Sequence, residues 1–278
     1  MDLYLRTSLK ISKIITRNYS TSFFWATKML EAKKREAVFA VYGFVRLADE
    51  IVDTFHTINQ QKALEDFENE YNSAMECGIS INPVIHAFVD VVKKYNINNE
   101  WVRAFLQSMK MDLQKKNYTN SEELEQYIYG SADVVGLMCL KIFVNGSDEA
   151  FAKVSEPAMK LGSAFQKVNF LRDLKNDVDD LGRSYFYDFS KESFNDTKKA
   201  EYVQQISADF KAARKGISEL PGRSKLAVHV AYFYYVALLK KIAKTPSQHI
   251  LSKRVRVSNF EKMYLLLLSV CYYYGKLI

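Results

Sequence analysis

Apolar residues recur along most of the chain at spacings of three and four positions, the pattern of helices that bury one face. One such run extends from Val102 to Leu113, and another extends from Leu226 to Leu238. No segment shows the sustained alternation of apolar and polar residues that is typical of strands. The pattern therefore predicts an all-α fold.

The segments that interrupt this pattern are short, and they lie around residues 77–83, 144–148, 181–184, 216–222 and 244–247. Connections of this length are typical between packed helices. No stretch has the composition of a linker between domains, and the sequence shows no internal repeat. We therefore expect a single domain, residues 1–278, built from roughly eight to ten helices.

The composition favours the same fold, because the 278 residues include only 10 glycines and 4 prolines, which sheet-rich proteins use in their turns. Aromatic residues make up 14% of the chain, which excludes a disordered or low-complexity protein. The formal net charge of +7 is modestly basic. It fits an ordinary lysine-rich surface, and it also fits an anionic ligand such as a phosphate, an acidic lipid or a nucleic acid.

The three cysteines are far apart, which argues against a zinc site or a disulfide framework and fits a reducing cytosol. The first residues are interrupted by charges and contain no apolar core of a secretory signal. The longest apolar run, Tyr264 to Gly275, is shorter than the ~20 residues of a membrane-spanning helix. We expect it to form a buried C-terminal helix or one that lies near a membrane surface.

The segment from Ala37 to Asp53 is apolar almost all the way round, which is typical of a helix in the centre of a protein. Four polar residues interrupt it: Tyr42, Arg46, Asp49 and Asp53. At about 100° per residue these side chains fall within roughly 60° of one another. A polar stripe on a buried helix needs counter-charges, a metal ion or a water-filled cavity, because unpaired buried carboxylates are costly.

A second stripe lies in the segment from Gly162 to Tyr185, where spacings of three and four residues place four polar side chains on one helical face. These side chains are Gln166, Asn169, Asp173 and Asp177. The two stripes are more than a hundred residues apart along the chain, and they could face each other across a cavity.

Carboxylates without a nearby histidine or cysteine form the type of oxygen site that Mg²⁺ or Mn²⁺ prefers. Such ions complete their coordination with water and with the phosphate oxygens of a substrate. A single D-x-x-x-D pair is more often part of a salt-bridged, solvated helix face. Two pairs, one on an apolar helix and one aligned with a glutamine and an asparagine, favour a functional site.

Several motifs make the chain resemble the squalene/phytoene synthase family, the head-to-head prenyltransferases. The resemblance covers essentially the whole chain and implies an isoprenoid synthase fold, a single helical bundle around a central cavity. The motifs are Y-S-T-S-F (residues 19–23), Y-x-x-x-R-x-x-D-x-x-x-D (42–53), M-D-L (111–113), Y-x-Y-G (127–130), Q-x-x-N-x-x-R-D-x-x-x-D (166–177), G-R-S-Y-F (182–186) and K-R-V-R-V (253–257).

This resemblance implies roles for individual residues. The side chains that would hold Mg²⁺ or Mn²⁺ are Asp49, Asp53, Asn169, Asp173 and Asp177. The residues that would contact the substrate diphosphates or line the cavity beside them are Ser20, Ser22, Tyr42, Arg46, Gln166, Arg172, Tyr235 and Arg254. The residues that would be catalytic are Asp49, Asp53, Asp173, Asp177 and Tyr129, with Tyr129 lining the reaction cavity.

The implied reaction is the condensation of two geranylgeranyl diphosphates to phytoene in carotenoid biosynthesis, with release of diphosphate through a cyclopropyl intermediate. Magnesium would be required, and no NADPH is expected for phytoene. The alternative is a C15-using dehydrosqualene or squalene synthase. Ala26 and Thr27 are small, so a tunnel that ended at them would have room for a longer chain; this favours the C20 substrate.

Two further interpretations stay open. Asp49 and Asp53 also resemble the aspartate-rich motif of head-to-tail chain elongases, although elongases typically carry doubled aspartates in both motifs, whereas position 169 is asparagine. The other interpretation is a non-catalytic relative that acts as a scaffold, although such relatives have usually lost residues of the aspartate motifs.

The expected partners are prenyl diphosphates and an anionic membrane surface, with no nucleic acid. We expect a cytoplasmic location, with peripheral binding to the inner face of the cell membrane as an option, and we leave the oligomeric state open.

Overall fold

A computed structural model describes residues 2–275. Within this range it contains thirteen α-helices, which account for most of the chain. They are α1 (Leu3–Tyr19), α2 (Thr21–Thr27), α3 (Ala32–Asp53), α4 (Gln60–Cys77), α5 (Pro83–Tyr95), α6 (Asn99–Gln114), α7 (Ser121–Ile128), α8 (Val134–Phe143), α9 (Asp148–Lys175), α10 (Asp196–Ser218), α11 (Arg223–Lys244), α12 (Ser247–Ile250) and α13 (Asn259–Tyr274).

Two π-helical turns interrupt the α-helices, one at Tyr129–Asp133 between α7 and α8, and one at Asn176–Asp180 directly after α9. We call them the first and the second π-turn. Each contains one extra residue compared with a regular α-helical turn. The described residues contain no strand beyond an isolated bridge between Asn117 and Ser184. The predicted all-α fold is confirmed.

The chain is divided more finely than expected. Breaks at 28–31, 54–59, 96–98, 115–120 and 251–258 carry few glycines or prolines and were not predicted, so thirteen helices replace the expected eight to ten. The break expected at 181–184 extends to residue 195, because Tyr185, Phe186 and Phe194 are buried in this loop and fix it to the core. The expected domain, residues 1–278, includes positions 1 and 276–278, which lie outside the described residues.

Side-chain caps explain where many of the helices begin. An oxygen of aspartate, asparagine or serine accepts a backbone N–H at the start of nine of the described helices, which satisfies a donor that the first turn cannot. These N-caps are Asp2, Ser20, Asn59, Asn82, Asn98, Asn120, Ser147, Asn195 and Ser258.

Two large clusters of buried apolar side chains hold the helices together. The first surrounds α3, whose Ala40, Phe44 and Ala48 are fully buried, and it includes α5 and α6. The second surrounds α9 and α10. Smaller clusters join α2 to α11 and α8 to α9, and a cavity is bordered by all four clusters.

Close packing at one side of this cavity requires a glycine. Gly216 on α10 faces Pro157 on α9, and a Cβ at position 216 would overlap the proline ring. The two helices therefore approach closely beside the apolar part of the cavity.

Among the described residues, one helix is long and apolar enough, by length and composition, to cross a membrane. This helix is α11, and its Ala227, Ala231 and Tyr235 line the cavity. A core helix of a folded protein meets the same criteria, because its buried faces are apolar.

Candidate active site

The cavity has a volume of about 470 Å³, and its lining changes from apolar to polar along two helices. On α3 the lining passes from Val38 to Asp49, and on α9 it passes from Val154 to Arg172. Because both helices present their polar residues near their C-terminal ends, the polar end of the cavity lies where these two helices end. We call the carboxylates of α3 (Asp49 and Asp53) the first wall and the group Asn169, Asp173 and Asp177 the second wall. Asp49 and Asn169 line the cavity itself, whereas Asp53, Asp173 and Asp177 are not among its lining residues.

Asp49 of the first wall is held by a charge on its own helix. Arg46 donates from Nη1 to Asp49 Oδ2 at 2.9 Å, and its Nη2 forms an ion pair with the buried Glu50. The guanidinium also lies over the ring of Tyr19, 4.5 Å from its centroid. Burial and the neighbouring Asp53 raise the pKa of Asp49 to about 6.

The second wall crosses from α9 into the second π-turn. Asp173 is in contact with two arginines: Arg172 Nη2 lies 2.5 Å from its Oδ2, and Arg254 Nε lies 2.6 Å from its Oδ1. Asp177 lies in the π-turn and is 9% exposed. Burial and the nearby Asp173 raise its pKa to about 7.

Arg183 links the two walls, although no role was predicted for it. Its guanidinium pairs with Asp53 of the first wall and lies 3.6 Å from Asp112 on α6. Its backbone N–H donates to the carbonyl oxygen of Asp177 in the second π-turn at 2.8 Å. Arg183 therefore contacts a residue of each stripe beside the polar end of the cavity.

A phenol cluster surrounds Asp112, the other residue that was not predicted. Tyr127 donates to Asp112 Oδ2 at 2.7 Å, and Tyr185 donates to its Oδ1 at 3.2 Å. Burial raises the pKa of Asp112 to about 7. The sequence contained a signal for both residues, because Asp112 lies in the motif M-D-L and Arg183 in G-R-S-Y-F.

Amide and hydroxyl groups complete the polar end. Tyr235 donates to Asn169 Oδ1 at 3.2 Å, Asn169 donates to Gln166 Oε1 at 3.3 Å, and Gln166 donates to Ser131 Oγ at 3.4 Å. This chain of hydrogen bonds fixes the side chains between the second wall and the first π-turn. All four residues line the cavity.

The hydroxyl side of the polar end comes from α2 and α3. Ser20 N-caps α2 and lines the cavity beside Tyr42. Burial raises the pKa of Tyr42 to about 12, so its hydroxyl keeps its proton at neutral pH. Ser22 is half-buried and is not among the residues that line the cavity.

Tyr129, like Ser22, lies outside the cavity lining, although a place in the cavity was expected for it. Its side chain is 41% exposed and does not line the cavity, whereas Tyr127 is 2% exposed and does. Residues two positions apart point about 200° apart on a helix, so only one of these tyrosines can face inward. The expected place of Tyr129 in the cavity wall is therefore corrected to Tyr127.

The oxygen atoms of the two walls are possible ligands of a divalent cation. Among the described residues, no three histidine, cysteine, aspartate or glutamate side chains converge closely enough to hold an ion by themselves. The walls nevertheless offer hard oxygen donors from carboxylates and an amide, and Mg²⁺ is usually bound through one or two carboxylates with water and substrate phosphates. The residues fit an ion that is shared with a phosphate-bearing substrate.

Comparison with known proteins agrees with this arrangement. Residues 16–186 match the sequence model of the family described as squalene/phytoene synthase. The chain is 26% identical to a phytoene synthase of Arthrospira platensis, over 92% of this chain and 90% of that protein. It is 27% identical to the chloroplastic phytoene synthase 1 of Solanum lycopersicum, over 90% of this chain and 64% of that protein.

Solved structures show the same architecture. A dehydrosqualene synthase in complex with a ligand superposes with a TM-score of 0.83 at 26% identity, covering 98% of both chains. The squalene synthase HpnC from Alicyclobacillus acidocaldarius superposes with a TM-score of 0.75 at 22% identity, covering 87% of this chain and 95% of that chain. The chain therefore has the isoprenoid synthase fold that was predicted.

Proposed function

The chain belongs to the squalene/phytoene synthase family of prenyltransferases, and we propose that it joins two geranylgeranyl diphosphates head to head to give phytoene. The observation that carries this proposal is the cavity itself. Its polar end is lined by Asp49 and Asn169 of the two walls and by the arginines Arg46, Arg172 and Arg254, and its body is apolar. A prenyl diphosphate is divided in the same way, into a charged diphosphate group and a long apolar hydrocarbon chain.

We further propose that Mg²⁺ or Mn²⁺ binds between the walls, held by Asp49, Asp53, Asn169, Asp173 and Asp177. When bound, the ion would neutralise the charge of the departing diphosphate. Arg46, Arg172 and Arg254 line the cavity and would donate charge-assisted hydrogen bonds to the diphosphate oxygens that the ion leaves free. Ser20 would add a hydroxyl from the opposite side.

In the proposed reaction the first diphosphate leaves and the C1 cation is attacked by a double bond of the second substrate. Loss of a proton gives a cyclopropylcarbinyl diphosphate. Departure of the second diphosphate, rearrangement of the ring and a second proton loss then set the central double bond. No reductant enters this sequence, so we expect phytoene to form without NADPH.

A carbocation survives only where water is excluded, and the body of the cavity meets this need. Aromatic rings stack beside the polar end, with Phe23 against Tyr42 at 4.9 Å between centroids and Phe165 against Tyr235 at 4.0 Å. All four line the cavity. Their π-faces would stabilise positive charge that develops near them.

The preference for C20 substrates is supported by Ala26 and Thr27, which are small, buried and part of the cavity lining. Relatives named phytoene synthase support it as well. The second candidate is a C15-using enzyme, which is favoured by the likeness to a solved dehydrosqualene synthase.

Separate incubation with C15 and C20 diphosphates, followed by chromatography of the hydrocarbons, distinguishes these products. We expect a C40 hydrocarbon whose yield does not change when NADPH is added. The variant Ala26→Phe should lose activity on the C20 substrate and keep it on the C15 substrate, which serves as its internal control. A C30 product alone from the wild-type protein would contradict the C20 proposal.

We also propose peripheral binding to anionic membranes on the cytoplasmic side, because the substrates are lipids and the net charge is +7. Flotation with vesicles at low salt tests this proposal. Absence of binding to anionic vesicles would contradict it. Metal-dependent release of diphosphate by the purified protein would separate an enzyme from a non-catalytic scaffold.

A further inference from the structure

The C-terminal helix α13 exposes a continuous apolar stripe. At 100° per residue, its most exposed large side chains fall within about 100° of one another, so they form one face. They are Phe260 (87% exposed), Met263 (52%), Tyr264 (58%), Leu267 (58%) and Tyr274 (70%). Single exposed apolar residues are common, but a contiguous face of this kind usually marks an interaction site.

The parts of α13 beside and behind these exposed residues are packed against the protein. Leu265, Leu266 and Val270 belong to the cluster that joins α13 to α11 and to Ala26 of α2. The helix is therefore anchored along its inner side. The apolar stripe, as we call the five exposed residues, is left on the outer side of a fixed helix.

The chain around the stripe is positively charged. Between residues 247 and 275 it contains four basic residues, Lys253, Arg254, Arg256 and Lys262, and a single acidic residue, Glu261. Lys262 lies beside the polar end of the cavity, because its Nζ is 3.5 Å from the hydroxyl of Thr21, the residue after Ser20. The start of α13 therefore lies next to the polar end of the cavity, and Lys253 and Arg256 are exposed in the segment that leads into this helix.

We propose that the apolar stripe of α13 is the docking surface for an anionic lipid bilayer. The stripe would lie among the acyl chains near the headgroups while the exposed Lys253 and Arg256 contact lipid phosphates, as in other amphipathic helices that lie in the membrane plane. This orientation brings the polar end of the cavity near the membrane surface. That last point rests on the proposed function, since it matters only if the substrates are prenyl diphosphates.

A second copy of the chain fits this surface less well. In a two-fold symmetric contact each stripe would meet the same stripe, so the segments with Lys253 and Arg256 that precede α13 in the two copies would come close to each other. Like charges across an interface oppose association. An anionic bilayer offers the complementary charge instead.

Flotation with vesicles that contain phosphatidylglycerol, compared with vesicles of phosphatidylcholine alone, tests the surface directly. The double variant Phe260→Ser/Leu267→Ser removes two apolar side chains that the fold does not bury. We expect its partitioning onto the anionic vesicles to fall about tenfold or more. A matched control is Ile79→Ser/Ile81→Ser, which alters two isoleucines of 60% and 94% exposure between α4 and α5 and should leave partitioning within about twofold.

Circular dichroism of both variants establishes that they are folded, and Met263→Ser/Tyr264→Ser provides a second test of the same face. Wild-type binding by both stripe variants would overturn the proposal. The proposal would also be overturned if the wild-type protein were a dimer that did not bind vesicles and the stripe variants were monomers. The stripe would then be a contact between subunits.

Turnover separates this proposal from the proposed function. With prenyl diphosphates dispersed in detergent, the stripe variants should match the wild type, because none of the altered residues lines the cavity. With the same substrates supplied in vesicles, the stripe variants should be slower. A wild-type protein that binds vesicles but converts no prenyl diphosphate would contradict the proposed function and leave the docking surface supported.

Discussion

The first wall lies on one regular helix, whereas the second wall crosses from a helix into a π-turn. On α3, Asp49 is paired with Arg46 three residues away, within the same helix. On the second wall, Asp173 is paired with Arg172 beside it and with Arg254, which lies 81 residues further along the chain. Asp49 is therefore held within its own helix, whereas Asp53 and Asp173 each pair with an arginine that lies far away along the chain.

This difference has a consequence for charge. Two arginines neutralise Asp173, the first carboxylate of the second wall. Asp177 is different, because burial and the nearby Asp173 raise its pKa. Arg183 supplies the connecting charge, since it pairs with Asp53 and contributes to the pKa of Asp177. Arg183 therefore joins the two walls, through its side chain at Asp53 and its backbone N–H at Asp177.

The largest effect is expected when either wall loses a charge. Asp49→Asn and Asp173→Asn should each lower kcat by about 10²-fold or more, because stabilisation of the departing diphosphate is lost. Diphosphate release and the helical circular dichroism signal are the measurements. Asp179→Asn is the matched control, since Asp179 lies on the second π-turn and pairs with the exposed Lys191. Loss from only one of the two walls would show that the walls do not act together.

The first wall and most of the second could be predicted from sequence, because residues spaced three or four apart share a face of any α-helix. The π-turn at Asp177 could not, since it depends on how the chain leaves α9. The contact between Arg183 and Asp112 could not be predicted from the sequence either. It forms only because the loop 181–195 folds back onto α6 and buries its aromatic residues there.

The choice between Tyr127 and Tyr129 shows a similar limit. Both tyrosines belong to the motif Y-x-Y-G, and a periodic pattern does not say which of two residues at opposite helix faces points inward. The hydrogen bond from Tyr127 to Asp112 on α6 determines the direction. This contact joins residues on two different helices, so it requires the packed fold.

Arg46, the partner of Asp49 in the first wall, could have a structural or a functional role. The structure shows it paired with Asp49 and Glu50, and its Nε is buried without a hydrogen-bond partner. If the guanidinium grips a diphosphate, Arg46→Lys should keep its melting temperature within a few degrees and lose more than about tenfold in kcat/KM, because lysine lacks the planar pair of donors. Kinetics close to wild type would identify Arg46 as a counter-charge for the first wall.

Removing the link between the walls should affect stability. Arg183→Met would leave Asp112 buried without its cation, at a cost of about 3 kcal/mol, which lowers the melting temperature of the metal-free protein by roughly 6 °C. Added Mg²⁺ should recover part of this loss. Lys191→Met is the control, because it breaks an exposed pair with Asp179 worth less than about 1 kcal/mol. A loss as small as that of the control would mean that Arg183 does not stabilise the junction.

The smallest expected effect is a pH dependence of the stabilisation by Mg²⁺. The pKa of Asp49 is raised to about 6 and that of Asp177 to about 7, whereas aspartate in an unfolded chain titrates near about 3.9. Between about pH 4 and 7 the folded metal-free protein therefore binds more protons than the unfolded chain, and these groups lose their stabilising contribution as the pH rises.

Mg²⁺ binds the ionised carboxylates, so protons compete with it throughout this window. The rise in melting temperature on adding Mg²⁺ should be small at about pH 5.5 and larger at about pH 8, as measured by differential scanning fluorimetry. The double variant Asp173→Asn/Asp177→Asn should show a much weaker response at both values, because the second wall has lost its charge. Equal shifts at the two pH values in the wild type would mean that the ion does not bind at these carboxylates, and the two walls would then be a network of structural ion pairs.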